Sequence, residues 1–300
     1  MILTLQSQFN DDDSLTSYLA DELKNSRLAL ILGSGISADF KLPTWDALID
    51  SCCKEKNISI RNPRPDNLDL AEDVRIACND NQRYLDLVKA KLFDGVDISF
   101  QALCSNKTLS ALGALVMSSV RGSVSNVITY NFDDLLELYL DYHGFKTHVV
   151  SDLPVWNETA DVRIIHPHGY LPSHPRHNRT NWIVFDRESY SARAALHLIW
   201  MEEQLPVLRR NTCLFVGLSP RDEEIGKLVA HVKNSHPCKS AGVPFWAIRF
   251  STSSGDSEAD RRDSIKMSER GIFLKFVSDY HTALPSFLFA ICQKAAGVTL

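Results

Sequence analysis

LALILGSGISADFKLPTW, residues 28–45, is the stretch that decides the fold. Its first five residues, Leu28 to Leu32, are all apolar. A run this short without polar alternation reads as a strand covered on both faces. It ends in Gly33-Ser34-Gly35, a turn in which backbone N–H groups can approach a pyrophosphate with no side chain in the way. Gly33, Gly35 and Ala38 fit G-x-G-x-x-G/A. The dinucleotide fingerprint of dehydrogenases also needs an acid about 20 residues on, at the end of a second strand. Here that stretch is the helix WDALIDSCCKE, capped by Thr44, so an ordinary dehydrogenase is excluded. A tight turn after a buried strand remains the plainer alternative.

Outward from this stretch, strands alternate with helices. SNVITY (125–130), THVV (147–150), VRIIH (162–166), WIVF (182–185), TCLFVG (212–217), PFWAIR (244–249) and IFLKFV (272–277) read as strands. Helices are expected over residues 14–26, with Ser14 or Asp13 as cap, over DDLLELYLDYHG with Gly144 at its end, and from about Tyr280 to Ala296. A long helical stretch, RESYSARAALHLIWMEEQLPVLRR, is expected to break near Pro206. The pattern predicts an α/β, Rossmann-like, mostly parallel sheet with helices on both faces. LDLAEDVRIAC, QRYLDLVKAKLF and KTLSALGALVMSS have helical spacing, so about 50–122 reads as a helical insertion within a single domain over 1–300.

Composition bounds the function. Of 300 residues, 44% are hydrophobic, enough for a core, and the net charge is -5, with a pI near 6.1. This balance argues against strong direct nucleic-acid binding or affinity for anionic lipid. No apolar run approaches the ~20 residues that span a bilayer. The start MILTLQSQFNDDD lacks the basic beginning and long apolar core of a signal peptide, so the expected location is cytoplasmic. Seven cysteines include no C-x-x-C pair, which suggests free thiols and no zinc ribbon.

Three further strand ends carry candidate chemistry. In ITYNFDDLLE, a strand ends at Asn131, which at the carboxyl end of a parallel strand points into the ligand crevice. Asp133 or Asp134 can cap the helix that follows. In VRIIHPHGYL, His168 precedes a glycine at a strand end, where an imidazole can titrate near neutral pH. A solvated loop histidine is the alternative. Metal binding with His174 and His177 is a rival, although no carboxylate or cysteine completes a recognisable set. His166, one step back on the strand, is expected to turn away from a ligand, so its loss should cost far less than that of His168. In LFVGLSPRDEEI, Gly217 ends a strand, and Ser219 and Asp222 either form a capping box or hold ribose hydroxyls.

Taken together, these elements resemble the SIR2-like branch of the sirtuin superfamily, particularly the bacterial NAD-hydrolysing members of antiphage defence. GSGIS is similar to the family's G-A-G-x-S, with Ser34 in place of alanine. LPTWDALI, TYNFDDLLE, HPHGYL, VFDRESY and VGLSPRDEEI resemble the elements that follow, and the likeness runs from about residue 26 to residue 290. Protein-deacylating sirtuins differ in carrying four zinc cysteines and a G-I-P-D-F-R loop. This chain has neither.

The resemblance implies a function. NAD is the expected substrate, and hydrolysis of its nicotinamide–ribose bond the expected reaction, with no zinc. Asn131 matches the asparagine beside the ribose, and His168 the general base or ribose-hydroxyl partner. Asp133 would support the nicotinamide side. Gly33, Ser34, Gly35 and Ser37 would hold the pyrophosphate, and Gly217, Ser219 and Asp222 the adenosine ribose. A non-catalytic NAD or ADP-ribose sensor, and an NAD-dependent deacylase or ADP-ribosyltransferase, are the alternatives. Because the resemblance uses nearly the whole chain, no fused sensor is expected. The protein is instead expected to work as a homo-oligomer with a separate partner, by resemblance a HerA-type ATPase, with an Argonaute-type protein as runner-up.

Overall fold

The computed structural model describes residues 9–117, 119, 121–154, 158–177, 180, 182–218, 223–233, 235–237 and 242–297. Its strands are β1 (Leu28–Leu32), β2 (Asn126–Thr129), β3 (Thr147–Val150), β4 (Val162–Ile165), β5 (Thr212–Val216), β6 (Ala247–Thr252) and β7 (Ile272–Val277). They form one sheet in the order β3-β4-β2-β1-β5-β6-β7, and every pairing is parallel. The strand reading of the sequence is thus met except at 182–185, with β6 starting and ending three residues later than PFWAIR (244–249) implied.

The central strand places the site. β1 pairs with β2 on one side, Leu30 opposite Val127, and with β5 on the other, Leu28 opposite Thr212. The chain builds the β2 side first and then returns to the β5 side. The strand order therefore reverses at β1, and the two sets of connections diverge above its carboxyl end. That divergence leaves a crevice, where ligands of open parallel sheets bind.

All five residues of β1 are buried, as are all five of β5. Side chains alternate between the faces. Leu28, Leu30 and Leu32 join the core with α1 (Asp12–Lys24), α6 (Lys107–Val116), α7 (Leu135–Tyr142) and α12 (Ala283–Ala295). Ala29 and Ile31 join the opposite core with α9 (His197–Arg210), α10 (Glu223–Val232) and α11 (Ser257–Glu269).

The helical stretch divides in two. α2 (Trp45–Glu55), α3 (Asn67–Cys78) and α4 (Asn81–Leu92) build their own core of Leu48, Ile49, Leu70, Val74, Leu85 and Val88, closed by Ile183 and Phe185. The Tyr84 hydroxyl also donates to Asp186 at 3.0 Å. Burial of each aliphatic side chain contributes ~1.5–3 kcal/mol, against ~1 kcal/mol for one such bond. Apolar packing therefore holds these helices beside the sheet. α5 (Phe100–Ser105) leads into α6, which belongs to the sheet core instead. The six described cysteines are free thiols, and Cys238 lies outside the described residues. Among the described residues no helix is long and apolar enough to cross a membrane.

Three local expectations are corrected. WIVF (182–185) is not a strand: its one ladder contact is an antiparallel bridge from Ile183 to Gly169. The run is apolar because Ile183 and Phe185 close the core of α2–α4. The long helical stretch breaks at Leu196, between α8 (Arg187–Ala195) and α9, whereas Pro206 lies inside α9. Pro206 is exposed, so water can take the carbonyl that loses its intrahelical donor. The first helix begins two residues early, because Asp11 caps it by accepting from the Ser14 amide at 2.8 Å.

The β1 and β5 turns interlock. Gly217 has φ +72°, and a Cβ there would lie 2.8 Å from the Ile36 nitrogen and 2.9 Å from the Gly33 oxygen. A left-handed alanine costs ~1–2 kcal/mol before any clash. Gly217→Ala is therefore expected to lower the melting temperature by several degrees in calorimetry. An unchanged melting temperature would show that the two turns are not packed this way.

Candidate active site

The turns that end β1, β2, β4 and β5 meet above the sheet. After β1, the Gly33 amide donates to Val216 and the Gly35 amide to Gly217, at 3.0 and 2.9 Å. Ile36 and Ser37 then donate back to Gly33 and Ser34, forming a short 3-10 turn over Ser34–Ile36. Four amides of the glycine turn are thus used inside the protein. Gly33 and Gly35 are needed because the β5 turn approaches so closely: a Cβ on Gly35 would lie 2.7 Å from the Gly217 Cα. Ser34 stands exposed at the crest. Among the candidate residues at the β5 end, Ser219 and Asp222 lie outside the described residues.

Ser37 is buried, and its hydroxyl joins the β1 turn to the β2 turn. It donates to Asp133 Oδ2 at 2.9 Å and accepts from Asn131 Nδ2 at 3.1 Å. Asn131 and Asp133 are each 7% exposed. Expected at the pyrophosphate, Ser37 has its side chain turned instead to this pair. Burial pushes the Asp133 carboxyl up to about 6, against the opposing bond from Ser37. The Leu135 amide also reaches Asp133, at 3.3 Å, so Asp133 supplies what side-chain capping α7 receives.

Asp134 is drawn elsewhere. It accepts from the Ser173 amide and hydroxyl, from the His174 amide and from the His177 imidazole, at 2.7 to 3.2 Å. These bonds hold its carboxyl below the usual range despite burial. His177 also reaches Asp141 at 2.8 Å. The Asp134 bond, with help from Asp141, raises its imidazole to about 9. His174 and His177 are thus engaged in docking their loop to α7. Among the described residues no group of three metal-ligating side chains has the geometry to hold an ion.

His168 follows β4 and is half-buried, with its ring edge-on to Tyr130 at 4.9 Å. The Tyr130 hydroxyl donates to Gln204 at 2.8 Å. The backbone beside His168 is fixed by the Val184 amide, which donates to its carbonyl at 2.7 Å. Gly169 allows this pairing, because with φ +96° a Cβ would lie 2.6 Å from the Trp182 oxygen. Arg193, which no motif singled out, is buried; its Nε donates to the Pro167 carbonyl at 2.9 Å and its guanidinium lies 5.0 Å over Trp200.

Two more residues matter: His166, set aside by the sequence reading as turned away, and Glu137, which no motif singled out. His166 is fully buried, with Nε2 2.6 Å from Glu137 Oε1 and Nδ1 3.0 Å from the Asn131 carbonyl. The signal was present in Glu137, a lone carboxylate in the otherwise apolar run LLELYL. A cavity of about 520 Å³ is lined by Asp39, Phe40, Lys41, Asn106, Lys107 and His281 among others. It includes none of the Ser37, Asn131 and His168 set.

The arrangement joins Ser37, Asn131 and Asp133 at the carboxyl ends of β1 and β2, with the half-buried His168 following β4, the strand beside β2. Residues 125–282, just over half of the chain, match the family described as SIR2-like domain. No curated protein matches the chain in sequence. A solved structure described as a Sir2 homolog–NAD complex is similar over 95% of this chain and 94% of its own, at 14% identity and a TM-score of 0.50. Another, from work on the mechanism and regulation of Sir2 enzymes, covers 94% of this chain and 97% of its own, at 13% identity and a TM-score of 0.47. At such identity the first shows a shared fold and nothing finer, and no argument is drawn from the second.

The Asp133 geometry has a consequence for stability. Its carboxyl ordinarily titrates near 3.8 and here near 6, so the native state holds this proton more tightly than the unfolded chain. The stabilising contribution is complete below pH about 4 and is lost as pH rises through 6, a difference of ~3 kcal/mol. Asp133→Asn removes that loss. It is expected to be more stable than the parent at pH 8, with the advantage shrinking as pH falls from 6 towards 4 in urea unfolding. A difference independent of pH would contradict the assignment.

Proposed function

The chain belongs to the SIR2-like domain family, and from that premise we propose that it binds NAD and hydrolyses the nicotinamide–ribose bond, releasing nicotinamide and ADP-ribose. The observation that carries the reading is the Ser37 hydroxyl holding Asn131 and Asp133 together at the carboxyl ends of β1 and β2. The crevice geometry and the solved NAD complex of a Sir2 homolog support NAD as the ligand.

Cleavage of this bond develops positive charge on the ribose while nicotinamide departs neutral, and a water then adds to the anomeric carbon. The site must orient the ribose and stabilise that charge. Asn131 gives its Nδ2 to Ser37, leaving its Oδ1 to orient the attacking water. The buried Asp133 carboxylate lies nearby, on the nicotinamide side, where its charge favours the cationic ribose. His168 takes the proton released as water adds, or holds a ribose hydroxyl. The turn of Gly33, Ser34 and Gly35 receives the pyrophosphate at its exposed crest, with Ser37 anchoring it from beneath. Gly217, Ser219 and Asp222 hold the adenosine ribose. No structural zinc takes part.

In the same reading the enzyme depletes NAD in antiphage defence. It acts as a homo-oligomer restrained and triggered by a separate chain, and a HerA-type ATPase fits that role best by family resemblance. Once triggered, the protein is expected to convert NAD to nicotinamide and ADP-ribose, resolved by chromatography. Asn131→Ala and His168→Ala should each lower turnover by ~10²–10⁴-fold without loss of fold. NAD that binds but stays intact under triggered conditions would make the protein a sensor, and nicotinamide release strictly dependent on an acyl-lysine peptide would make it a deacylase.

A further inference from the structure

His166 and His168 lie two residues apart after the same strand, yet face opposite ways. His166 has no exposed surface, and its ring lies 4.5 Å from that of Tyr170, itself 1% exposed. Water therefore cannot replace either of its hydrogen bonds. Its Nδ1 lies 3.0 Å from the Asn131 main-chain carbonyl. A carbonyl oxygen only accepts, so Nδ1 must carry a hydrogen. Its Nε2 lies 2.6 Å from Glu137 Oε1. Whether that proton sits on nitrogen or on oxygen, the contact leaves Nδ1–H aimed at Asn131.

A second bond runs alongside. The Leu171 amide donates to the Phe132 carbonyl at 2.8 Å. Two consecutive carbonyls, at Asn131 and Phe132, thus receive donors from residues 166 and 171, which bracket His168. Glu137 belongs to α7, which begins four residues after Asn131, so the clamp closes within one compact unit.

We propose that His166 is a positioning residue: held at Nε2 by Glu137, it fixes through Nδ1–H the backbone turn that presents Asn131. This rests on the reading of Asn131 as the residue beside the scissile bond. β4 ends at Ile165, and the turn that follows, closed by the Gly169 amide on the His166 carbonyl at 3.1 Å, separates the two side chains: His166 meets the Asn131 backbone while His168 packs on Tyr130. Its loss is therefore costly to the rate, in place of the small cost expected from the sequence.

The test uses side chains that keep one half of the imidazole. In His166→Asn, combined with Glu137→Gln to avoid a lone buried carboxylate, the amide nitrogen stands near the Nδ1 position and can still donate to Asn131. In His166→Gln the amide stands near Nε2, reaches Glu137 and leaves the Asn131 carbonyl without its donor. His166→Gln is expected to lower kcat by ~10²-fold, the usual cost of a misplaced catalytic group, with the Kd for NAD unchanged, and the Asn/Gln double variant to recover most of the rate. Equal rates in the two variants, or a parent-like kcat in His166→Gln, would overturn the proposal.

A second measurement stands apart from turnover. In 15N NMR of the parent protein, with the signal assigned by its absence in the double variant, His166 Nδ1 is expected to be protonated at neutral pH. An unprotonated Nδ1 rejects the proposal. A protonated Nδ1 in a protein that leaves NAD intact would retain the clamp and reject only the proposed reaction.

Discussion

One hydroxyl group couples the two halves of the site. Ser37 stands at the end of the β1 turn, and Asn131 and Asp133 stand after β2. Its hydroxyl can both donate and accept, so it satisfies a carboxylate and an amide at once. Buried polar groups are costly when unpaired, and here each of the three is paired with another. Alanine at 37 would strand two of them, and threonine would add a methyl group to a fully packed position. The constraint fixes where β1 and β2 end relative to each other, and the crevice above them takes its shape from it.

α7 extends this coupling. Asp134, Glu137 and Asp141 occupy one side of the helix, and each engages the segment that follows β4: Glu137 through His166, and Asp134 and Asp141 through His177. His168 lies between these attachment points. The segment is a connection without regular structure, yet it is held at both ends by charge-assisted hydrogen bonds, which are stronger than neutral ones. Its order comes from these side chains together with the backbone bonds from Val184 to His168 and from Leu171 to Phe132, and among the described residues its one ladder contact is the Gly169–Ile183 bridge.

Much of this was legible in the sequence, for identifiable reasons. β1, β3 and β7 match their expected ranges residue for residue, although of these only β1 is buried along its whole length and β3 and β7 are the edges of the sheet. WIVF misled: its apolar residues serve a helical core, and apolarity alone does not distinguish a sheet from a loop that closes another core. Asn131, Asp133 and Ser37 were each marked by their strand-end positions, but the hydroxyl that joins them spans 94 residues of sequence, and no local pattern encodes such a contact. The clamp of His166 and Glu137 was hidden by the rule that pointed to His168. Alternation would set residues 166 and 168 on one face, but both lie past the end of β4, where a turn directs each side chain to its own partners.

The account stands or falls on where NAD sits. A crystal structure of Asn131→Ala soaked with NAD tests it most directly. The account predicts the pyrophosphate over the exposed crest at Ser34 and Gly35, with the nicotinamide ribose beside position 131 and within reach of His168. NAD bound instead in the cavity of Lys41, Lys107 and His281, or the crevice left empty at a concentration that saturates the parent protein, would contradict it.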